Sequence, residues 1–118
     1  MYGLASDTDL TFLQGKDLIQ VRIGVHEVIV AFDNDITIMI QSDIVHKIGN
    51  DIAACYRLPV SAMPALVRFL GTRVVTTTIS PPGTLGLVFS NGETLELHDS
   101  SSQYESYHIS HKAGLIVV

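Results

Sequence analysis

Apolar and polar residues alternate along two stretches of the chain, and the two stretches follow one plan. In the first, Ile19, Val21 and Ile23 alternate with Leu18, Gln20 and Arg22, and Ile36, Ile38 and Ile40 alternate with Thr37, Met39 and Gln41. In the second, Val75, Thr77 and Ile79 form one such set, and Leu95 and Leu97 alternate with Thr94, Glu96 and His98. A period of two places alternate side chains on one face of an extended segment, so each set predicts a half-buried antiparallel strand. Laying residues 12–23 over 68–79 matches Gly15 with Gly71 and Ile23 with Ile79. With one added residue at Pro81-Pro82-Gly83, Val28, Val30, Phe32, Ile38 and Ile40 fall on Leu85, Leu87, Phe89, Leu95 and Leu97, and Asn34 falls on Asn91. The chain reads as two copies of a three-stranded unit.

Turn chemistry supports the same division. Ser90-Asn91-Gly92-Glu93 predicts a two-residue type I′ hairpin turn, because Asn-Gly accepts positive φ at both centres, and Asp33-Asn34-Asp35 is its weaker counterpart. Pro81-Pro82-Gly83 and the Gly24 region supply the other reversals. Between the copies, Val60, Met63, Val67 and Leu70 recur at spacings of three or four and predict a short helix, with Ser61 as N-cap. Pro64 falls in its first turn, and Gly71 closes it in a left-handed conformation. The stretch from Ser42 to Pro59 supports two readings: residues 43–48 prolong the third strand or begin a turn, and residues 52–56 form strand or helix. Asp99-Ser100-Ser101-Ser102-Gln103 reads as a polar turn, and Leu115-Ile116-Val117-Val118 as a final strand whose truncation is expected to be damaging.

The expected fold is α+β and mainly β: two repeated three-stranded antiparallel meanders, packed together or forming one sheet, with one short helix between them. A single domain spans 1–118, with repeat 1 at about 12–42, the connecting segment and helix at about 43–70, and repeat 2 at about 71–118. With 118 residues, 47% of them hydrophobic, the chain is long enough for one core.

Charge and cysteine usage narrow the function classes. Seven Lys and Arg against 12 Asp and Glu give a net charge of −5, so no nucleic-acid partner is expected. The first residues lack a basic, apolar leader and no run of about 18 apolar residues occurs, so a cytoplasmic protein with no membrane contact is expected. The single cysteine, Cys55, excludes an internal disulfide and a thiol-only metal cage within one chain.

Each candidate for chemistry has a stronger structural explanation. His108 and His111 are three apart, and on a strand they point to opposite faces, so no metal is expected; His26 and His46 lack ligand spacing as well. Cys55 could be a nucleophile activated by His46, yet its neighbours Ile52, Ala53, Ala54 and Tyr56 predict core packing. Glu93, Glu96, Asp99 and Glu105 form a solvated acidic edge rather than an acid and base pair. Gly83-Thr84-Leu85-Gly86 lacks the context of a phosphate loop. No catalytic residue and no cofactor are expected.

Tyr104, Glu105 and Tyr107 are the interaction candidates, because tyrosine combines apolar area with a hydrogen-bonding tip. The alternative for the tyrosines is packing on the second repeat.

The block Leu87-Val88-Phe89-Ser90-Asn91-Gly92-Glu93-Thr94-Leu95-Glu96-Leu97, followed by Gln103-Tyr104-Glu105-Ser106-Tyr107-His108-Ile109 and Ile116-Val117-Val118, resembles a group of small uncharacterised bacterial proteins. The likeness covers about the last third of the chain. Some members of that group occur alongside toxin systems, where an immunity role is inferred for them. The resemblance implies no enzyme activity, cofactor or catalytic position. The expected function is a non-enzymatic interaction protein, with a toxin-neutralising role as its specific form and an acidic surface that meets a basic partner. The alternative is a small-ligand-binding domain with a cleft between the two repeats. Self-association, including a homodimer, is also expected, because Val74 to Thr78 carries no charge to protect a sheet edge.

Overall fold

The computed structural model describes residues 4–81, 83–100 and 106–118. Pro82, residues 101–103 of the expected polar turn, and the interaction candidates Tyr104 and Glu105 lie outside the described residues. The described residues form ten strands: β1 (Leu18–Ile23), β2 (Val28–Phe32), β3 (Ile36–Ile40), β4 (Ile44–Ile48), β5 (Asp51–Tyr56), β6 (Val74–Ser80), β7 (Thr84–Phe89), β8 (Glu93–Leu97), β9 (Tyr107–His111) and β10 (Gly114–Val117). A 3₁₀ turn at Pro59–Ala62 runs into the short helix α1 (Met63–Val67) between the copies.

The strands form two antiparallel sheets, with orders β1-β2-β3-β9-β10 and β5-β4-β8-β7-β6. Each expected meander is present, as β1-β2-β3 and β6-β7-β8. The stretch with two readings resolves into the β4-β5 hairpin, which does not prolong the first meander. It crosses over and pairs with β8, while the β9-β10 hairpin crosses back and pairs with β3. The copies thus exchange their last hairpins. Val28, Val30, Phe32, Ile36, Ile38, Ile40 and Ile109 of one sheet share a core with Ile44, Leu85, Leu87, Phe89, Leu95 and Leu97 of the other. Leu10 and Leu13 from the first copy, and Leu66 and Phe69 from the connector, complete that core.

Period-two reading places Ile19 and Val75 with the inward residues, and both are instead exposed. The reason is a bulge at the same point of each copy: the register shifts between Leu18 and Gln20 and between Val74 and Thr76. One extra residue turns outward while Leu18 and Val74 become fully buried. The turns also differ from expectation. Asn34 and Asp35 take positive φ in succession (64° and 60°), whereas in the Asn91-Gly92 turn only Gly92 does (84°). The Gly92 N–H bonds the Phe89 carbonyl at 2.9 Å, and the Asn91 side chain accepts the Glu93 N–H at 2.9 Å. That is a three-residue loop with a left-handed glycine, not a type I′ turn.

The helix has apolar residues on both sides. Leu66 and Phe69 are buried, while Val60, Met63, Val67 and Leu70, the stripe that sequence spacing selects, are 38–46% exposed. Gly71, at φ 83°, donates to the Leu18 carbonyl at 2.8 Å and fixes the rotation of the segment. Ser61 is not a cap, since its hydroxyl donates to the Leu58 carbonyl at 2.6 Å.

An approximate two-fold axis relates the copies. Gly15 N–H bonds Val74 O at 2.8 Å as Gly71 N–H bonds Leu18 O, and Leu18 N–H bonds Thr72 O at 2.9 Å as Val74 N–H bonds Lys16 O. Asp17 and Arg73, equivalent residues, form a bridge with each other on this axis. At the crossovers, Gln41 N–H donates to Ser106 O at 2.9 Å and His98 N–H to Asp43 O at 3.1 Å. The buried Ser42 hydroxyl lies between them and reaches the carbonyls of both His98 and Ser106.

Replacing Ser42 by alanine removes the hydroxyl donor from the His98 carbonyl at the crossing, while the Ser106 carbonyl keeps the Gln41 N–H. The variant is expected to lose about 1–3 kcal/mol in urea unfolding. A value within error of the parent would show that the Ser42 hydroxyl contributes nothing to the crossing.

Candidate functional site

A groove of about 390 Å³ opens between the β1-β2 turn and the link from β5 to α1. Val25 and His26 form one wall, Leu58, Pro59 and Val60 the other, and Gln41 and Arg57 complete it. Its lining comes from the first copy and the connector, not from between the two repeats. The turn that carries Val25 is closed by Gly24 N–H bonding the Glu27 carbonyl at 2.9 Å, which leaves Val25 82% exposed at the rim. Leu58, at 67% exposed, faces solvent because Pro59 starts the 3₁₀ turn and is itself buried.

The polar ends in this groove lack protein partners. Among the described residues, the side chains of Arg57, His26 and Gln41 make no hydrogen bond or ion pair. Arg57 also opens a stretch, residues 57–92, that holds three arginines and neither Asp nor Glu. Arg68 and Arg73 are paired, with Glu93 at 2.9 Å and Asp17 at 3.1 Å. Among the described residues, Arg57 is the cation of that stretch without a partner.

The connector is held to the second sheet by a partly buried carboxylate. Glu93, at the start of β8, bonds the His46 imidazole at 2.5 Å through one oxygen and the Arg68 guanidinium at 2.9 Å through the other. His46 comes from β4, so this group depends on the hairpin exchange, and the edge of its ring faces Phe69 with ring centres 5.4 Å apart. Glu93 was expected on a solvated edge; burial against the connector brings it to 13% exposure instead. Sequence spacing gave no hint of the pair, because the two residues meet across strands 47 positions apart.

On the outer face of the same sheet, Glu96 bonds Lys47 at 2.9 Å and His98 at 3.2 Å. Partial burial pushes the Glu96 carboxyl up, but hydrogen bonds from Lys47 and His98 outweigh it and hold the group below its ordinary value. Glu93 and Glu96 are thus both ion-paired.

Tyr107 is placed in the core, not at an interaction surface. It shares the inward face of β9 with Ile109, is fully buried, and donates its hydroxyl to the Gly83 carbonyl at 2.6 Å. Burial, and secondarily the nearby Asp99 charge, push its pKa well above the usual tyrosine value. Cys55 corrects the expectation in the other direction, since it is exposed. It stands opposite Val45 on β4, one residue from the inward His46, so the two point to opposite faces and cannot form a nucleophile and base pair. His111 stacks on Phe12 with ring centres 3.9 Å apart, away from any pairing with His108. Among the described residues no three His, Cys, Asp or Glu side chains are grouped to hold a metal ion, and no helix is long and apolar enough to cross a membrane.

Comparisons with protein-family profiles, curated proteins and solved structures find no match to this chain.

Two measurements check this geometry. Glu93→Gln removes the charge that joins β4, β8 and the connector, and is expected to lower stability by about 1–3 kcal/mol. Protease resistance of residues 57–70 should fall with it. For Tyr107 the folded protein holds the proton more tightly than the unfolded chain, whose tyrosines ionise near pH 10. Stability that is constant below that pH should therefore decline above it, and absorbance at 295 nm should show one of the four tyrosines ionising only on unfolding. Tyr107→Phe should remove that late step.

Proposed function

We propose that this is a non-enzymatic binding protein that docks a partner protein on the apolar face of residues 58–70, with Arg57 meeting an acidic group of the partner. One observation carries the reading. Among the described residues, five of the twelve exposed large hydrophobic side chains (Leu58, Val60, Met63, Val67 and Leu70) lie within this one segment. A concentration of apolar surface of this kind is costly to leave in water and typical of a contact surface. The acid-free stretch around it and the unpaired Arg57 give the partner its chemistry: apolar side chains flanked by a carboxylate. The Glu93 clamp keeps the segment rigid, which lowers the entropy lost on docking. The C-terminal resemblance makes a toxin the partner class to try first, and neutralisation the specific role.

Capture on the tagged full-length protein tests this. Leu58→Asp and Val67→Asp alter exposed side chains and should leave the melting temperature nearly unchanged, yet each should reduce recovery of a stoichiometric partner about tenfold or more. Arg57→Glu should weaken capture as well, while Ile52→Asp and Leu115→Asp, at exposed apolar positions elsewhere, should not. Equal recovery by all five variants would remove this surface from consideration.

The groove itself favours a second reading, the binding of a small apolar carboxylate. Its volume of about 390 Å³ is within the range of small-molecule sites, and three polar residues without side-chain partners among the described residues line it beside four apolar ones. Calorimetry with decanoate should then show saturable binding that Arg57→Gln abolishes.

A further inference from the structure

We infer that β6 is the interface of a symmetric homodimer, in which the β6 strands of two copies pair antiparallel and join their sheets into one. The surface shares no residue with the face proposed for the partner protein.

β6 is an edge strand, paired only with β7. Its bulge lies at its start, where Val74 bonds Lys16 and Gly15, and leaves Thr76–Ser80 in regular register with β7. Among the described residues, no backbone bond outside β7 reaches Thr76–Ser80. Such a row of open donors and acceptors is a template for another strand unless charge, proline, a bulge or shortness blunts it. The other three edges are blunted. β5 carries its irregularity in mid-strand, opposite His46 and Lys47, and β10 has only four residues. β1 carries Arg22.

The comparison with β1 is the most direct, because it is the same strand in the other copy. Laid over each other with the bulges aligned, Arg22 falls on Thr78, and both are exposed. The first copy therefore has an edge-protecting charge where the second has a hydroxyl. The whole of β6, Val-Val-Thr-Thr-Thr-Ile-Ser, is uncharged and lies within the acid-free residues 57–92, so two copies meet there without local repulsion between carboxylates.

The sequence is also self-complementary. A two-fold axis through Thr78 sets Thr78 against its own copy, Thr76 against Ser80, and Thr77 against Ile79. Hydroxyls face hydroxyls on the outer side, and the methyl of threonine meets isoleucine on the inner side, which are favourable cross-strand pairs. Because the operation is two-fold, pairing closes at a dimer and consumes both open edges.

Sedimentation of the full chain tests the inference. The parent protein should be a concentration-dependent dimer. Thr78→Arg introduces the residue that the first copy already carries at this place, and Thr78→Glu the opposite charge. Each sets like charges against each other across the axis and should weaken dimerisation about tenfold or more. An equal mixture of the two should recover dimers containing one chain of each, an outcome specific to residue 78 facing itself. A parent that stays monomeric to about millimolar concentration, or a Thr78→Arg dimer of unchanged affinity, overturns the inference. Amide exchange in the parent protein gives an independent readout if a variant fails to fold. Protection within Thr76–Ser80 should rise with protein concentration, and concentration-independent exchange there also overturns it.

Discussion

A three-stranded antiparallel meander has two open edges and one apolar face, and in this protein both problems are solved by the same exchange. Each copy sends its last hairpin to the other, so β3 acquires β9 as a neighbour and β8 acquires β4. The added hairpins widen each sheet to five strands and close the internal edges. The core and the Glu93 clamp both follow from it. His46 reaches Glu93 only because β4 lies beside β8, and Arg68 reaches the same carboxylate only because the connector then packs against that sheet. Ser42 sits at the crossing of the two segments, in the small space where one side chain can bond both.

The two-fold relation has limits that matter for surface chemistry. Backbone bonds at the junction of the copies repeat almost distance for distance, yet the side chains on the two outer surfaces have diverged. The first copy places Arg22 on its edge strand, and the second leaves the equivalent strand uncharged. Among the described residues, the segment between the copies has no counterpart that exposes a similar run of apolar residues. Duplication gives a framework held by main-chain bonds, and divergence gives two surfaces of different chemistry.

Much of the framework was legible in the sequence, because period-two alternation and the overlay of residues 12–23 on 68–79 report short-range geometry. The meanders and the C-terminal strand come from such signals, whereas Gly71, expected to close the helix, lies beyond its cap at Arg68 and bonds β1 instead. What was not legible came from single-residue displacements and from long-range pairing. A bulge adds one residue without changing composition, so Ile19 and Val75 looked like core residues and are not. The helix carries apolar residues on both sides, so its spacing matched the exposed stripe as readily as the buried one. Cys55 looked buried because its sequence neighbours are apolar, but β5 is an edge strand with one face in water. Tyr107 looked like a contact residue for its composition alone, and only the inward phase of β9 shows that its hydroxyl serves Gly83. The groove left no sequence signal, since its walls come from three separate segments.

The crossed hairpins also order events in time. Ile38 pairs with Ile109 and Val45 with Glu96, so neither sheet has its full set of neighbours until the second copy has been made. During synthesis the β4-β5 hairpin leaves the ribosome before β8 exists to receive it, and the first meander must wait longer still for β9. Such non-local pairing delays the reward for closing the chain and slows folding. The nascent first half exposes an apolar face and an open edge for that interval, which makes this small protein dependent on its own second half as an internal chaperone.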